Sequence, residues 1–258
     1  VDNRPGAGST LGSEIALKSP ADGYTLLLIS GSYTTSPSLY KNLKYDPLND
    51  MASVIQTENG PYVVTVHPSL PAKNVKELVA IAKARPGQLN YASTGNGGIT
   101  HLSAELFAMR TGIKITHIPY KGTGPGVIDT IAGNTQMMIG AVSAVIGHMQ
   151  NGRLRGLAVS SPKRLPALPN VPTVMEGGIN YQVNNWHGVI APKGTPKPVI
   201  DRLNSEINKA IKDPEFAKRI ALDGLEPAGG TPDEFYTLLK REVVEWAEVV
   251  KAANVKAD

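Results

Sequence analysis

Cysteine is absent from this chain of 258 residues. That excludes thiol nucleophiles, disulfides and cysteine-based metal sites, and it leaves the redox compartment open. Aromatic residues make up only 5%, and lysines and arginines are interspersed with acids at a net charge of +4. This is unlike a nucleic-acid surface, so no nucleic acid is expected as a partner. No apolar run approaches the roughly 18 residues of a membrane span, and no membrane insertion is expected. The five histidines, His67, His101, His117, His148 and His187, are widely spread. No two share ligand spacing on one helix, so neither a metal nor a cofactor is expected. Enzyme signatures are missing too: there is no Walker-type loop, no nucleophile elbow and no zinc helix. The stretch Gly6-Ala7-Gly8-Ser9-Thr10-Leu11-Gly12 carries its third glycine one position too late for a dinucleotide fingerprint. Val1 to Gly8 read as the end of a strand running into a loop, without a charged-then-apolar leader, and this predicts an upstream segment.

What remains is an ordinary globular composition, 41% hydrophobic and 19% charged, long enough for one large domain or two smaller ones. Strand and helix signals alternate along it. Thr25–Ser30 is a continuous apolar run suited to a strand buried on both faces. Pro61–His67 repeats the signal, and Val75–Ala84 has helical spacing with a stop at Arg85-Pro86-Gly87. Strands are predicted at Ile113–Pro119, Met137–Ile139, Arg155–Ser160 and Val189–Pro192, and helices at Gly124–Ala132 and from Val142 to Asn151. Ile200, Leu203, Ile207 and Ile211 mark one helical face. Thr231-Pro232-Asp233-Glu234 is a capping-box start, followed by Phe235, Leu238, Leu239, Trp246 and Val249 on a core face. The alternation predicts an α/β fold with mostly parallel sheets. It is divided into two lobes, with Pro61–His67 and Gly188–Pro192 as crossings between them.

The run from Tyr91 to His101, Tyr-Ala-Ser-Thr-Gly-Asn-Gly-Gly-Ile-Thr-His, reads as a strand end, a glycine-rich turn and a helix start. Such a start leaves backbone N–H groups unpaired and carries partial positive charge. Ser93, Thr94 and Asn96 add short polar groups, and Gly95, Gly97 and Gly98 let an anion approach the backbone. The same pattern also serves as a tight turn with no ligand. Similar small polar clusters follow other strands: Ser30-Gly31-Ser32-Tyr33, Tyr120-Lys121-Gly122-Thr123 and Gly140-Ala141, while Asn185-Trp186-His187-Gly188 precedes the return crossing. Ligands of open α/β sheets sit beyond the carboxyl ends of strands, so these loops together fit a binding cleft better than a catalytic one. An enzyme acting on an organic acid is the weaker alternative, with Lys121 and His101 or His187 as acid–base groups.

The sequence resembles the solute receptors of tripartite tricarboxylate transporters, the Bug family, over essentially its whole length. The matching stretches are Asp2–Gly8, Pro20–Leu27, Val66–Pro71, Leu89–His101, Ile118–Gly122 and Leu168–Val174. The resemblance implies a two-lobe fold of the type II periplasmic binding protein kind, with residues 1–63 and 188–258 as one lobe and 64–187 as the other. It implies a periplasmic monomer that closes on a small organic carboxylate in an interlobe cleft and passes it to inner-membrane permease subunits. A sensor or adaptor subunit would need the same cleft. By the same resemblance, Ser93–Gly98 and His101 grip one carboxylate, partly through water, and Ser30, Gly31, Ser32 and Tyr33 line the opposite lobe. Gly122, Gly140 and Ala141 form the deeper wall, and His187 lies near the hinge. The family normally opens with a strand, loop and helix that precede Val1. Many relatives carry Asp and Asn where Gly140 and Ala141 stand, so the resemblance argues against an amino-acid ligand and for a plain or larger acid, with extra room at Gly140.

Overall fold

The computed structural model describes residues 1–4 and 9–256; Pro5–Gly8, within the first matching stretch, lie outside the described residues. In chain order the elements are α1 (Thr10–Leu17), β1 (Leu27–Ser30), α2 (Gly31–Leu39), β2 (Met51–Val66), α3 (Val75–Ala84), β3 (Asn90–Ser93), α4 (Ile99–Thr111), β4 (Thr116–Pro119) and α5 (Thr123–Ile131). They continue with β5 (Met137–Ala141), α6 (Val142–Gln150), β6 (Arg155–Val159), β7 (Asn184–Pro192), α7 (Lys197–Ile211), α8 (Pro214–Ala221), β8 (Glu226–Gly229) and α9 (Pro232–Ala253).

The chain divides into two units. The first comprises Val1–Asn59, Trp186–Ile220 and Leu225–Asp258, the second Gly60–Asn185 and Ala221–Gly224. In the first unit β7 is flanked by β1 and β2, and β8 pairs with β2. β1 meets β7 antiparallel, from Leu27 opposite Ile190 to Ser30 opposite His187. Its core gathers Leu17, Ile29, Tyr33, Trp186, Ile190, Phe235 and Leu239. α9 supplies its buried stripe at Phe235, Leu239, Glu242, Trp246 and Val249, spaced alternately four and three residues apart as a core-facing helix requires. A full capping box at Thr231 and Glu234 starts it.

In the second unit the latter half of β2 pairs antiparallel with β5 and with β6. β3 lies parallel to β5 and to β4. Val63, Ala92, Val127, Met138, Val142, Val145 and Val159 fill its core. Arg155 donates to the carbonyls of Pro68, Leu70 and Ala72, which fixes the turn after β2 without any side-chain acid.

The fold is α/β with mixed, open sheets. β3 pairs parallel with β4 and β5, and Val159 bridges Thr173 in parallel. β1–β7, β2–β5, β2–β6 and β2–β8 are antiparallel, a more mixed pairing than the mostly parallel sheets that alternation predicts. Each of the crossing strands β2 and β7 runs antiparallel to a neighbour in its unit, and strand–helix alternation carries no signal of that. β1 is not buried on both faces either: among the described residues it is paired only with β7, and Leu28 is 64% exposed. β4 begins at Thr116, because Gly112 ends α4 in a left-handed C-cap and Ile113–Ile115 are taken up by the turn.

Candidate functional site

The parallel register of β3, β4 and β5 fixes where their carboxyl ends fall. Ser93 lies opposite Pro119, and Ala92 opposite Met138. The segments leaving these strands therefore emerge at one end of the sheet, and α4, α5 and α6 all begin there. Their N-caps are Gly98, Gly122 and Ala141, and none makes a side-chain capping bond. Glycine and alanine have no side-chain acceptor to offer. By contrast α3 and α9 are capped by Asn74 and Thr231. Three uncapped helix starts at one sheet end concentrate backbone donors and partial positive charge. The second-unit candidates Ser93–Gly98, His101, Gly122, Gly140 and Ala141 are thus brought together.

Gly140 and Ala141 do not follow a strand as the sequence predicts. They are its last residues, opposite Val63 and Tyr62 of β2. Gly140 is buried, and a β-carbon there would come within 3.1 Å of Val145 Cγ1 and 3.6 Å of Met138. The extra room expected at that position is occupied by packed side chains.

At the β3–α4 junction Gly95 and Gly97 adopt φ of 131° and 69°, which side-chain-bearing residues rarely sustain. Most of the loop's amides serve the loop itself. The Thr94 N–H donates to Thr100 Oγ1 at 3.0 Å, and the Gly95 N–H to Ser93 Oγ at 3.1 Å. The Gly97 N–H donates to His101 Nδ1 at 3.0 Å, and the Gly98 N–H to the Gly95 carbonyl at 3.3 Å. The next amides, on Ile99, Thr100 and His101 in the first turn of α4, take no protein acceptor among the described residues. The donors offered to an anion are therefore those of the helix's first turn, and the glycines shape the path to them.

Behind the loop sits a cluster that the sequence reading did not assemble. His101 is buried, and its ring stacks on His117 with centroids 3.6 Å apart. Tyr91 stacks on His117 at 5.0 Å and donates its hydroxyl to Glu105 Oε1 at 2.6 Å. Ser93 Oγ is 2.6 Å from His117 Nε2. Because Nδ1 of His101 accepts the Gly97 N–H, its proton resides on Nε2 and the ring is neutral. Burial first, then the electrostatic influence of His117, push its pKa down to about 4. Burial raises the Glu105 carboxyl, partly offset by the Tyr91 bond. The one signal in the sequence is spacing: Glu105 stands four residues after His101 on α4, one turn along the same face.

In the first unit the segment Ser30–Tyr33 is no loop. Ser30 ends β1 in extended conformation and Gly31 opens α2 directly, again without a side-chain cap. The segment GSYTTSPSL lacks a helical apolar pattern. The helix is held by hydroxyls bonding back to its own carbonyls, Thr34 to Gly31, Thr35 to Ser32 and Ser36 to Ser32. Tyr33 is buried, stacks on Tyr45 and donates to the Pro47 carbonyl at 2.9 Å. His187 lies opposite Ser30 across the β1–β7 ladder. Its Nδ1 is 3.0 Å from Glu58 Oε1, and that contact holds the Glu58 carboxyl below its usual range. Lys121 is exposed. A cavity of about 270 Å³ between α1 and the segment from Tyr40 to Tyr45 is lined by none of the candidate residues. Among the described residues no group of His, Asp and Glu is placed to hold a metal, and no helix is long and apolar enough to cross a membrane.

Two α/β units linked through long strands, with uncapped helix starts at sheet ends, define a protein of the periplasmic-binding-protein class. The profile of the tripartite tricarboxylate transporter family receptors matches residues 1–255, and the chain belongs to that family. It is 38% identical over 259 residues to protein BugT of Bordetella pertussis, covering 99% of this chain and 79% of that one. Among solved structures it resembles R. palustris Rpa4515 with adipate, at 33% identity and a TM-score of 0.89, covering 99% of this chain and 86% of that one. MatC from Rhodopseudomonas palustris with bound malate gives 26% identity and a TM-score of 0.83, covering 95% and 85%.

Proposed function

We propose that this chain is a periplasmic receptor that captures a small organic carboxylate at its uncapped strand–helix junctions and delivers it to membrane permease subunits. The observation that carries this reading is the set of three helix starts, α4, α5 and α6, with side-chain-free caps at one sheet end. A carboxylate supplies the acceptors that those caps lack, and the aligned peptide dipoles favour its charge. Adipate and malate in two similar proteins support an acid as the ligand. His101, with its Nδ1 occupied by Gly97, acts in this reading by holding the loop. Within the first unit, Ser30, Gly31 and Ser32 form a further uncapped strand–helix junction, with His187 opposite Ser30. His101 is buried and neutral, with Nδ1 spent on the loop, and is poorly suited to acid–base work, so the receptor reading stands ahead of an enzyme.

Titration calorimetry of the native, full-length protein against adipate, malate and a panel of mono- and dicarboxylates tests it. Saturable 1:1 heat with at least one acid is expected. Thr94→Leu, which removes the Thr94–Thr100 hydroxyl contact of 2.9 Å and places an apolar group beside the donors, should lose tenfold or more in affinity, about 1.4 kcal/mol. Flat heats across the panel, or undiminished affinity in Thr94→Leu, would overturn it.

A further inference from the structure

Glu242 interrupts the apolar stripe of α9 midway, between Leu239 and Trp246, and is 7% exposed. A carboxylate there is costly unless it is paired or neutral. Its oxygens meet two elements of the first unit: Oε1 accepts from Trp186 Nε1 of β7 at 2.8 Å, and Oε2 lies 2.9 Å from Thr34 Oγ1 of α2. Thr34 Oγ1 is also 2.8 Å from the carbonyl oxygen of Gly31. A hydroxyl carries one proton. If Glu242 were ionised, Thr34 would face two acceptors with that single proton. If Glu242 is protonated, the count closes: Trp186 N–H to Oε1, Oε2–H to Thr34 Oγ1, and Thr34 O–H to Gly31 O.

We propose that Glu242 is a protonated carboxylic acid in the native fold and the positioning residue for the β1–α2 junction, holding Gly31 through Thr34 and tying it to β7 beside His187. Ionising it would break the chain of bonds at Thr34 and release Gly31, so acid binding weakens as the proton leaves. The hydrogen-bonding groups of Thr34, Trp186 and Trp246 favour the ionised form, and Arg241, adjacent on α9, adds to them, although it also approaches Glu245 at 3.7 Å. From α2 the other ionisable side chain is Tyr33, committed to the Pro47 carbonyl. From β7 it is His187, paired with Glu58. Burial opposes the charge more strongly than these neighbours favour it.

The consequence for ligand rests on the proposed receptor function; the protonation state does not, and the experiment separates them. Infrared spectra of the full-length protein, recorded about two pH units either side of neutrality, should show the C=O band of a protonated carboxylic acid that disappears on the alkaline side and is missing in Glu242→Gln. Adipate affinity by calorimetry over the same range should fall about fivefold or more with rising pH in wild type. It should stay level in Glu242→Gln, whose amide reproduces the donor and the acceptor without titrating. If Glu242→Gln does not fold, Thr34→Val, which cuts the link to Gly31, should weaken adipate and flatten the profile. No such band at any pH, or parallel affinity profiles in wild type and variant, would overturn the proposal. If wild type does not bind adipate, the Gly31 and Ser32 amide resonances serve instead: they should shift with the band in wild type alone, and their indifference to pH overturns it.

Discussion

His101 serves the proposed site by holding the β3–α4 loop from behind. Its Nδ1 is spent on the Gly97 N–H, and its ring centroid lies 3.6 Å from that of His117, an arrangement that disfavours charge on the ring. The pKa held at about 4, against the ordinary 6.5, means that the unfolded chain binds a proton which the native ring refuses. The stability that His101 contributes is therefore complete above pH 6.5 and lost as pH falls towards 4. Ring resonances followed by NMR should show His101 neutral at pH 5, where an unperturbed histidine is protonated. His101→Phe should keep the stack but orphan the Gly97 N–H, lowering stability by about 1–3 kcal/mol, measurable by urea denaturation. An ordinary titration near 6.5 would dismiss the arrangement.

Among the helices, the contrast between capped and bare starts lets stability and binding be pulled apart. Ala141 has φ −58° and ψ 146°, a conformation open to any residue, so Ala141→Asp can place an acceptor over the first turn of α6. A new cap contributes about 0.5–2 kcal/mol. Melting temperature should rise while affinity for adipate falls tenfold or more, because the introduced carboxylate takes the donors and repels the ligand. A variant that gained on both measures would show that α6 takes no part in the site. The β3–α4 junction and the α/β alternation were legible in the sequence because glycine, short polar residues and helical spacing announce a strand-to-helix turn locally. α2 was not, since GSYTTSPSL gains its helical order from hydroxyl back-bonds and from packing on α9. The first half of β2, MASVIQTENG, mixes polar and apolar residues and shows itself only through its partner strands. The same limit applies to His117, Glu105 and Glu242. Each acquires its role from a residue on another strand or helix, and the local marks are slight: Glu105 stands one turn after His101 on α4, and Glu242 breaks a helical stripe.

Across the whole chain, each unit carries a buried ionisable group of opposite habit. In the first unit burial pushes the Glu242 carboxyl up to about 7 from 4.5. The folded state therefore holds the proton more tightly than the unfolded one. The stability this contributes is full below pH 4.5 and declines as pH rises through 7. In the second unit His101 does the reverse, declining as pH falls from 6.5 to about 4. Glu105, also raised by burial, opposes His101 within that unit, so the histidine's share must be read as the difference between wild type and His101→Phe. Hydrogen exchange at neutral and mildly acidic pH, corrected for intrinsic rates, should then separate the two. Amides of α2 and α9 should gain protection on acidification in wild type, by up to roughly a hundredfold given a shift of this size. Glu242→Gln should abolish that gain and leave α4 unaffected. His101→Phe should alter the acid response of α4 and β3 alone. If either substitution flattened both responses equally, the two groups would be reporting one shared opening of the molecule, and the assignment of each pH response to its own unit would fall.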